Sequence, residues 1–293
     1  MIPRAFEYFA PTTLQEAVSL LTAHKDEAKL LAGGHSLLPM MKLRLAAPTY
    51  LIDLGRIPDL AYIRENDGRL LIGAMTTHTM LETSDMLRQR LTALAEAAAV
   101  IGDVQVRNCG TVGGSMVHAD PAADLPAVMQ MAEAEFILLG PNGTRMIPVE
   151  QFFVDLLTTA LQPDELLTEI QIPLPPARTG TAYLKVFQKA SGFAIVGVAA
   201  GLTLGPDGRT CQTARIGITG VAARSFRATA VEQALTGQAI DEAAIVAAAE
   251  HASDGVDALS DLHASGEYRL ALARIYTKRA LLRALTRAQG GTA

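Results

Sequence analysis

Cysteine is scarce in this chain: only Cys109 and Cys211 are present, far apart in sequence. Two thiols exclude a four-cysteine iron–sulfur or zinc site built within it. They are expected as free buried thiols rather than a disulfide. Long apolar runs are missing too. The longest, Phe193–Leu202, has ten residues, against the ~20 that a membrane-crossing helix needs. No basic block occurs and the net charge is −5, which argues against nucleic acid as a partner. The opening MIPRAFEYFAP has neither an uninterrupted apolar core nor a cleavage site, so no signal peptide is expected and a cytoplasmic location is. There is no internal repeat and no low-complexity tract. The dinucleotide fingerprint G-x-G-x-x-G and the phosphate loop G-x-x-x-x-G-K-[ST] are both absent, so neither a Rossmann nor a Walker site is indicated.

What is present suits a large core. Hydrophobic residues make up 49% of 293 and charged residues 19%, a balance incompatible with disorder and matching two or three domains. Thr12–Ala23 has helical spacing after a Thr cap. A strand at Lys29–Ala32, a helix at Leu37–Leu45 and a strand at Tyr50–Leu54 make a βαβ-like unit. Asp67–Gly68 predicts a hairpin. Leu87–Ile101 reads as one Ala- and Leu-rich helix, followed by a helix near Ala127–Ala134. Strands are predicted at Glu135–Leu139, Thr144–Val149 and Leu166–Ile172. The cluster Pro173–Pro176 marks a boundary near residue 177. Beyond it three strands (Ala182–Gln188, Ala194–Leu204, Cys211–Val221) precede three helices (Ser225–Thr236, Asp241–His251, Tyr268–Arg287). This is an α+β pattern. It has a small βαβ unit in residues 1–55, a larger β-rich unit in 56–177, and in 178–293 a three-stranded antiparallel sheet packed on helices.

Two glycine segments stand out: Ala32–Pro39, AGGHSLLP, and Cys109–Pro126, CGTVGGSMVHADPAADLP. In the first, a strand ends in Gly33–Gly34. Ser36 is a cap candidate, and Pro39 fits only a first helical turn. Glycine admits positive φ and close approach of a ligand to backbone, and a helix start offers free N–H groups to phosphate. Alone, each segment reads as an ordinary tight turn. Together they pair two glycines with a hydroxyl residue twice, Ser36 and Ser115, as a grip on the two phosphates of one dinucleotide would require.

These segments, with IGDVQVRNCGTVGGSMVHADPAADLP at Ile101–Pro126, PDELLTEIQIP at Pro163–Pro173 and YLKVFQKASGFAIVGVAAGL at Tyr183–Leu202, resemble the FAD-binding medium subunit of molybdenum hydroxylases. That family is similar to the flavoprotein subunits of carbon monoxide dehydrogenase and xanthine dehydrogenase, and the resemblance covers nearly the whole chain. It implies a two-part FAD-binding domain in 1–177 and a flavoprotein C-terminal domain in 178–293. Ala32, Gly33, Gly34, His35, Ser36 and Leu37 would wrap the pyrophosphate through N–H groups and the Ser36 hydroxyl. Thr111, Val112, Gly113, Gly114 and Ser115 would form the second clamp. Asp124 would accept hydrogen bonds from ribityl or ribose hydroxyls. Ile101 and Gly102 would line the flavin, with Leu167 near it. Lys185 would be a cation near the pyrophosphate or flavin. Phe193 stands where the family often has tyrosine, keeping the aromatic contact without the hydroxyl. By the same resemblance the chain would take electrons from [2Fe–2S] clusters on a small subunit and pass them to an external acceptor. Molybdopterin would lie on a large subunit, the assembly being a dimer of heterotrimers. No catalytic base, nucleophile or metal ligand is expected here.

Other readings stand beside these. His35 in a glycine loop keeps open a free-standing flavin oxidase, which can attach flavin to such a histidine, although the tail is small for a substrate-capping domain. A non-catalytic nucleotide-binding assembly module is the third. Asp120 reads as a helix cap, His118 as structural, and His78 as packing no less than function. Arg269, Arg274, Lys278, Arg279, Arg283 and Arg287 read as a solvated helix face.

Overall fold

In the computed structural model, which describes residues 2–291, the chain builds three principal sheets. The first is small and wholly parallel. Glu7–Phe9 and Ala28–Leu31 flank Tyr50–Asp53, in register Phe9↔Ile52 and Leu30↔Ile52. The helix Leu14–His24, capped by the Thr13 hydroxyl, packs Ala17 and Val18 beneath it. The helix between the glycine turn and the third strand is shorter than its apolar run suggests, Leu37–Lys42.

The second sheet is five-stranded and antiparallel. Its order is Ile63–Asn66, Arg69–Gly73, Leu166–Pro173, Glu135–Gly140, Gly143–Pro148. Its first hairpin turns at Asp67 and Gly68, both at positive φ, as a two-residue turn matched to strand twist requires. Alternation along the strands turns Leu70, Ile72, Phe136, Leu138, Ile170 and Ile172 into one core. Of the six helices between residues 78 and 131, all but Val104–Cys109 supply side chains to that core. Leu166 and Leu139 instead meet Ala17, Val18 and Leu54 of the small unit. The helix expected over Leu87–Ile101 is two, Asp85–Arg90 and Thr92–Ala99. The chain kinks at Leu91, and the Thr181 hydroxyl accepts from Ala93 N–H at the new start. Helical periodicity carries no sign of that distant acceptor.

The third sheet runs Thr179–Phe187, Ala194–Leu204, Cys211–Thr219. To the three expected strands it adds a two-residue fourth, Phe226–Arg227, at the edge. The helix Gly266–Ala288 covers one face. Gly180 lies so close that a Cβ there would overlap the Ala284 carbonyl oxygen. The helix Leu125–Met131, buried at every residue, covers the other face and touches the five-stranded sheet's core as well. Gly217 admits it, since a Cβ there would overlap the Ala127 carbonyl oxygen. Covered on both sides, Ala194–Leu204 is almost wholly apolar, as a doubly buried strand must be.

The basic residues of the last helix do not form a simple solvated face. Arg269 is 4% exposed and donates to Ile195 O (2.7 Å), Gly220 O (2.6 Å) and Asp261 (2.7 Å). Arg287 binds Thr181 O and Glu96, and Arg274 binds Ser253. Cys109 is exposed and Cys211 buried, both as free thiols. Among the described residues no helix is long and apolar enough to cross a membrane.

Candidate functional site

The two glycine segments meet. Gly33 packs on the second segment so tightly that a Cβ would stand 2.7 Å from Gly110 Cα and overlap the Cys109 carbonyl oxygen. Gly34, at φ +76°, turns the chain into the helix Leu37–Lys42, a conformation that disfavours any side chain. The second segment leaves the helix Val104–Cys109, passes Gly110 and starts the helix Val112–His118. Gly113 lets that helix lie on Ala74, where a Cβ would come within 2.7 Å of the Ala74 carbonyl oxygen.

The segments differ in what they leave unpaired. In the first, the N–H groups of Gly34, His35, Ser36 and Leu37 donate to no protein acceptor among the described residues; the next N–H, of Leu38, returns to Gly34 O. Ser36 does not cap the helix, so its hydroxyl is uncommitted. In the second, every N–H at the helix start is used. Val112 donates to Thr76 O, Gly113 to Ala74 O, Ser115 to Thr111 O, and Gly114 to the Thr111 hydroxyl. That segment therefore offers a ligand the Ser115 hydroxyl rather than a backbone cradle.

Both segments open on a cleft of about 530 Å³, within the range of small-molecule sites. Its wall brings together Ala32, Gly33, Gly34, His35, Ser36, Leu37, Ile101, Gly102, Thr111, Gly113, Gly114, Ser115, Asp124, Leu167 and Phe193. Two expected site residues are not on it. Val112 is wholly buried behind the turn. Lys185 is also behind the wall, its side chain 4% exposed. Its ammonium donates to Val100 O (2.7 Å), Gly192 O (2.6 Å) and Asp124 Oδ2 (3.0 Å), which accounts for all three of its donors. Rather than facing a cofactor, it ties Asp124 to the two loops that carry Ile101, Gly102 and Phe193.

Asp124 precedes the helix Leu125–Met131 but makes no side-chain cap. Its carboxylate accepts from the Tyr183 hydroxyl at 2.6 Å and from Lys185. Burial pushes it up to about 6, against the pull of the Lys185 ammonium and the Tyr183 hydroxyl. The same burial raises the Tyr183 phenol well above its usual value. Asp120 is not a helix cap; its Oδ1 accepts from Ala122 N–H in a local turn. Phe193 is 45% exposed at the mouth. The wall also includes residues the sequence did not single out as site residues: Met75, Leu157, Leu161 and Gly110, together with His78. Leucines on a short hairpin carry no motif, so only their position reveals them.

The donor set fits a dinucleotide. Free N–H groups and two free hydroxyls lie where the chain's glycine turns converge, and apolar side chains extend from them. Comparison with known proteins gives the same answer. Residues 4–175 match the model for the FAD binding domain in molybdopterin dehydrogenase, and residues 181–284 match that for the CO dehydrogenase flavoprotein C-terminal domain. The chain belongs to this family of FAD-binding dehydrogenase subunits. It is 44% identical to the carbon monoxide dehydrogenase medium chain of Hydrogenophaga pseudoflava, covering 96% of this chain and 97% of that one. The caffeine dehydrogenase subunit beta of a Pseudomonas species is 33% identical over 98% and 97% of the two chains. Among solved structures, that of carbon monoxide dehydrogenase from Hydrogenophaga pseudoflava, lacking the Mo-pyranopterin moiety of its cofactor, superposes with a TM-score of 0.94 at 45% identity, covering 98% and 99% of the chains. The chain is thus an oxidoreductase subunit of the α+β class of these flavoproteins.

Proposed function

We propose that this chain is the FAD-carrying electron-transfer subunit of a heterotrimeric molybdenum hydroxylase. It would work beside a large chain with the molybdenum cofactor and a small chain with [2Fe–2S] clusters, two such trimers forming the full assembly. The observation that carries the reading is the meeting of the glycine segments on one cleft, with four unpaired N–H groups on one side and the Ser115 hydroxyl on the other. The N–H groups of Gly34–Leu37 and the hydroxyls of Ser36 and Ser115 would hold the diphosphate. Asp124 would accept from a sugar or ribityl hydroxyl, and Ile101, Gly102, Leu167 and Phe193 would enclose the ring system. FAD, when bound, would supply the redox chemistry between the clusters and an external acceptor; the residues of this chain would fix its position and control access. The Lys185–Asp124 pair holds the ring-facing loops, and the substrate is decided on the large chain.

We place the domain boundary near residue 177, where Pro173–Pro176 separates the second sheet from the third, and the protein in the cytoplasm, in keeping with two unpaired thiols. Titration of the purified chain with FAD tests the reading. Stoichiometric uptake with a flavin absorption spectrum is expected, as is co-purification of one long and one short cysteine-rich chain from the source cells. A colourless chain that takes up no FAD, alone or with those partners, would defeat it.

A further inference from the structure

We propose that the His78 imidazole is a further ligand-binding group of the cleft, hydrogen-bonding a phosphate oxygen of the bound dinucleotide. This rests on the reading of the cleft as an FAD site and adds to it a contact that the glycine motifs do not contain.

His78 starts the helix His78–Thr83 and is 5% exposed, yet it forms part of the cleft wall. Nδ1 is fully buried without a hydrogen-bond partner; Nε2, on the side of the ring that faces Gly110, also has none among the described residues and is the nitrogen that would meet the ligand. Buried polar groups are nearly always paired, and an unpaired one costs about 1–3 kcal/mol. The nearby polar side chains are committed elsewhere. The Thr79 hydroxyl donates to Asn108, the Thr77 hydroxyl accepts from Met80 N–H, and Arg107 binds Glu82 and Ile101 O.

Its position is fixed toward the ligand end of the cleft. The His78 N–H donates to Gly110 O at 3.0 Å, anchoring the residue to the second glycine segment. Gly110 in turn leaves room for the ring: a Cβ there would stand 2.8 Å from His78 Cδ2 and 2.9 Å from Nε2. The imidazole therefore sits beside the place where the two segments converge, not beside the apolar wall. Burial above all, with His35 and Arg107 nearby, holds it down to about 4. The ring is neutral at physiological pH and presents one N–H donor without adding a buried cation.

ADP, which has the diphosphate and ribose but no flavin, isolates this contact. The full chain, freed of FAD, would be titrated with ADP and with FAD as wild type, His78→Leu and His78→Gln, and the imidazole nitrogens would be followed by NMR. His78→Leu is expected to weaken both ligands about tenfold. His78→Gln, which keeps an N–H donor, should restore most of that, and ADP should shift the His78 nitrogen resonances in the wild type. Unchanged affinities in a folded His78→Leu chain, or imidazole resonances unmoved by saturating ADP, would overturn the proposal while leaving FAD binding intact. Failure of the wild type to bind either nucleotide would overturn both readings. If His78→Leu does not fold, the wild-type resonances decide alone.

Discussion

Gly33 lies directly against Gly110, so close that a single added carbon on Gly33 would stand 2.7 Å from the Gly110 Cα. This contact converts two loops, remote in sequence, into one binding edge. Gly33→Ala should therefore separate them. A cost of about 1–3 kcal/mol in stability, as for other overpacked sites, and loss of most FAD uptake are expected. Gly68→Ala is the contrast: it forces a side chain onto positive φ (+73°), unlike Gly33→Ala, but meets nothing within 4 Å. It should lower the thermal midpoint slightly and leave FAD titration unchanged.

The two glycine segments contribute differently, and the difference is measurable. Ser115→Ala removes the uncommitted hydroxyl of the second segment, whereas Ser36→Ala leaves four N–H groups beside it that are free among the described residues. Each hydroxyl is worth about 0.5–1.5 kcal/mol. Fluorescence titration with FAD should show a larger loss for Ser115→Ala than for Ser36→Ala, with thermal stability of both variants near wild type.

Lys185 acts from behind the wall. Lys185→Met removes the donor to Val100 O and Gly192 O and leaves Asp124 buried without its cation. Such a half-removed pair typically costs about 3–5 kcal/mol. Denaturant unfolding should show a loss of that order. FAD affinity should fall as well, although the side chain lines no part of the cleft. Adding Asp124→Leu should return part of the stability, because the stranded carboxylate is then gone.

Two buried groups set opposing pH dependences. The Asp124 carboxyl is raised from 3.8 to about 6, so between those values the native state holds a proton that the unfolded chain lacks, and stability falls as pH rises. His78 is lowered from 6.5 to about 4. There the unfolded chain holds the extra proton, and stability rises with pH over nearly the same window. Each amounts to roughly 3 kcal/mol, and they nearly cancel. Between pH 4 and 6, Asp124→Asn should make stability rise more steeply with pH than in the wild type. His78→Gln should make it rise less or fall. Unfolding free energies measured at half-unit steps check both signs.

Much of the architecture is present in local pattern. Asp67–Gly68 marks its hairpin because only a turn of that hand suits the strands, and Ala194–Leu204 is apolar throughout because helices cover both its faces. The kink at Leu91 is not visible in this way. It depends on the Thr181 hydroxyl, supplied by a strand 88 residues further along the chain. Arg269 reads as a surface residue by its helical neighbours, yet it is buried to serve the carbonyls of Ile195 and Gly220.

The sequence by itself determined the element types, the two glycine turns with their hydroxyls, and the exclusion of a resident four-cysteine cluster. These follow from propensity, spacing and residue counts, which are properties of neighbours along the chain. Only the tertiary structure decided which donors remain free for a ligand. The N–H groups of Val112, Gly113, Gly114 and Ser115 are spent inside the protein, Lys185 turns inward to Asp124, and the His78 ring is left without a hydrogen-bond partner among the described residues. Whether a polar group is satisfied depends on what folding brings beside it, and that is not encoded in any one segment.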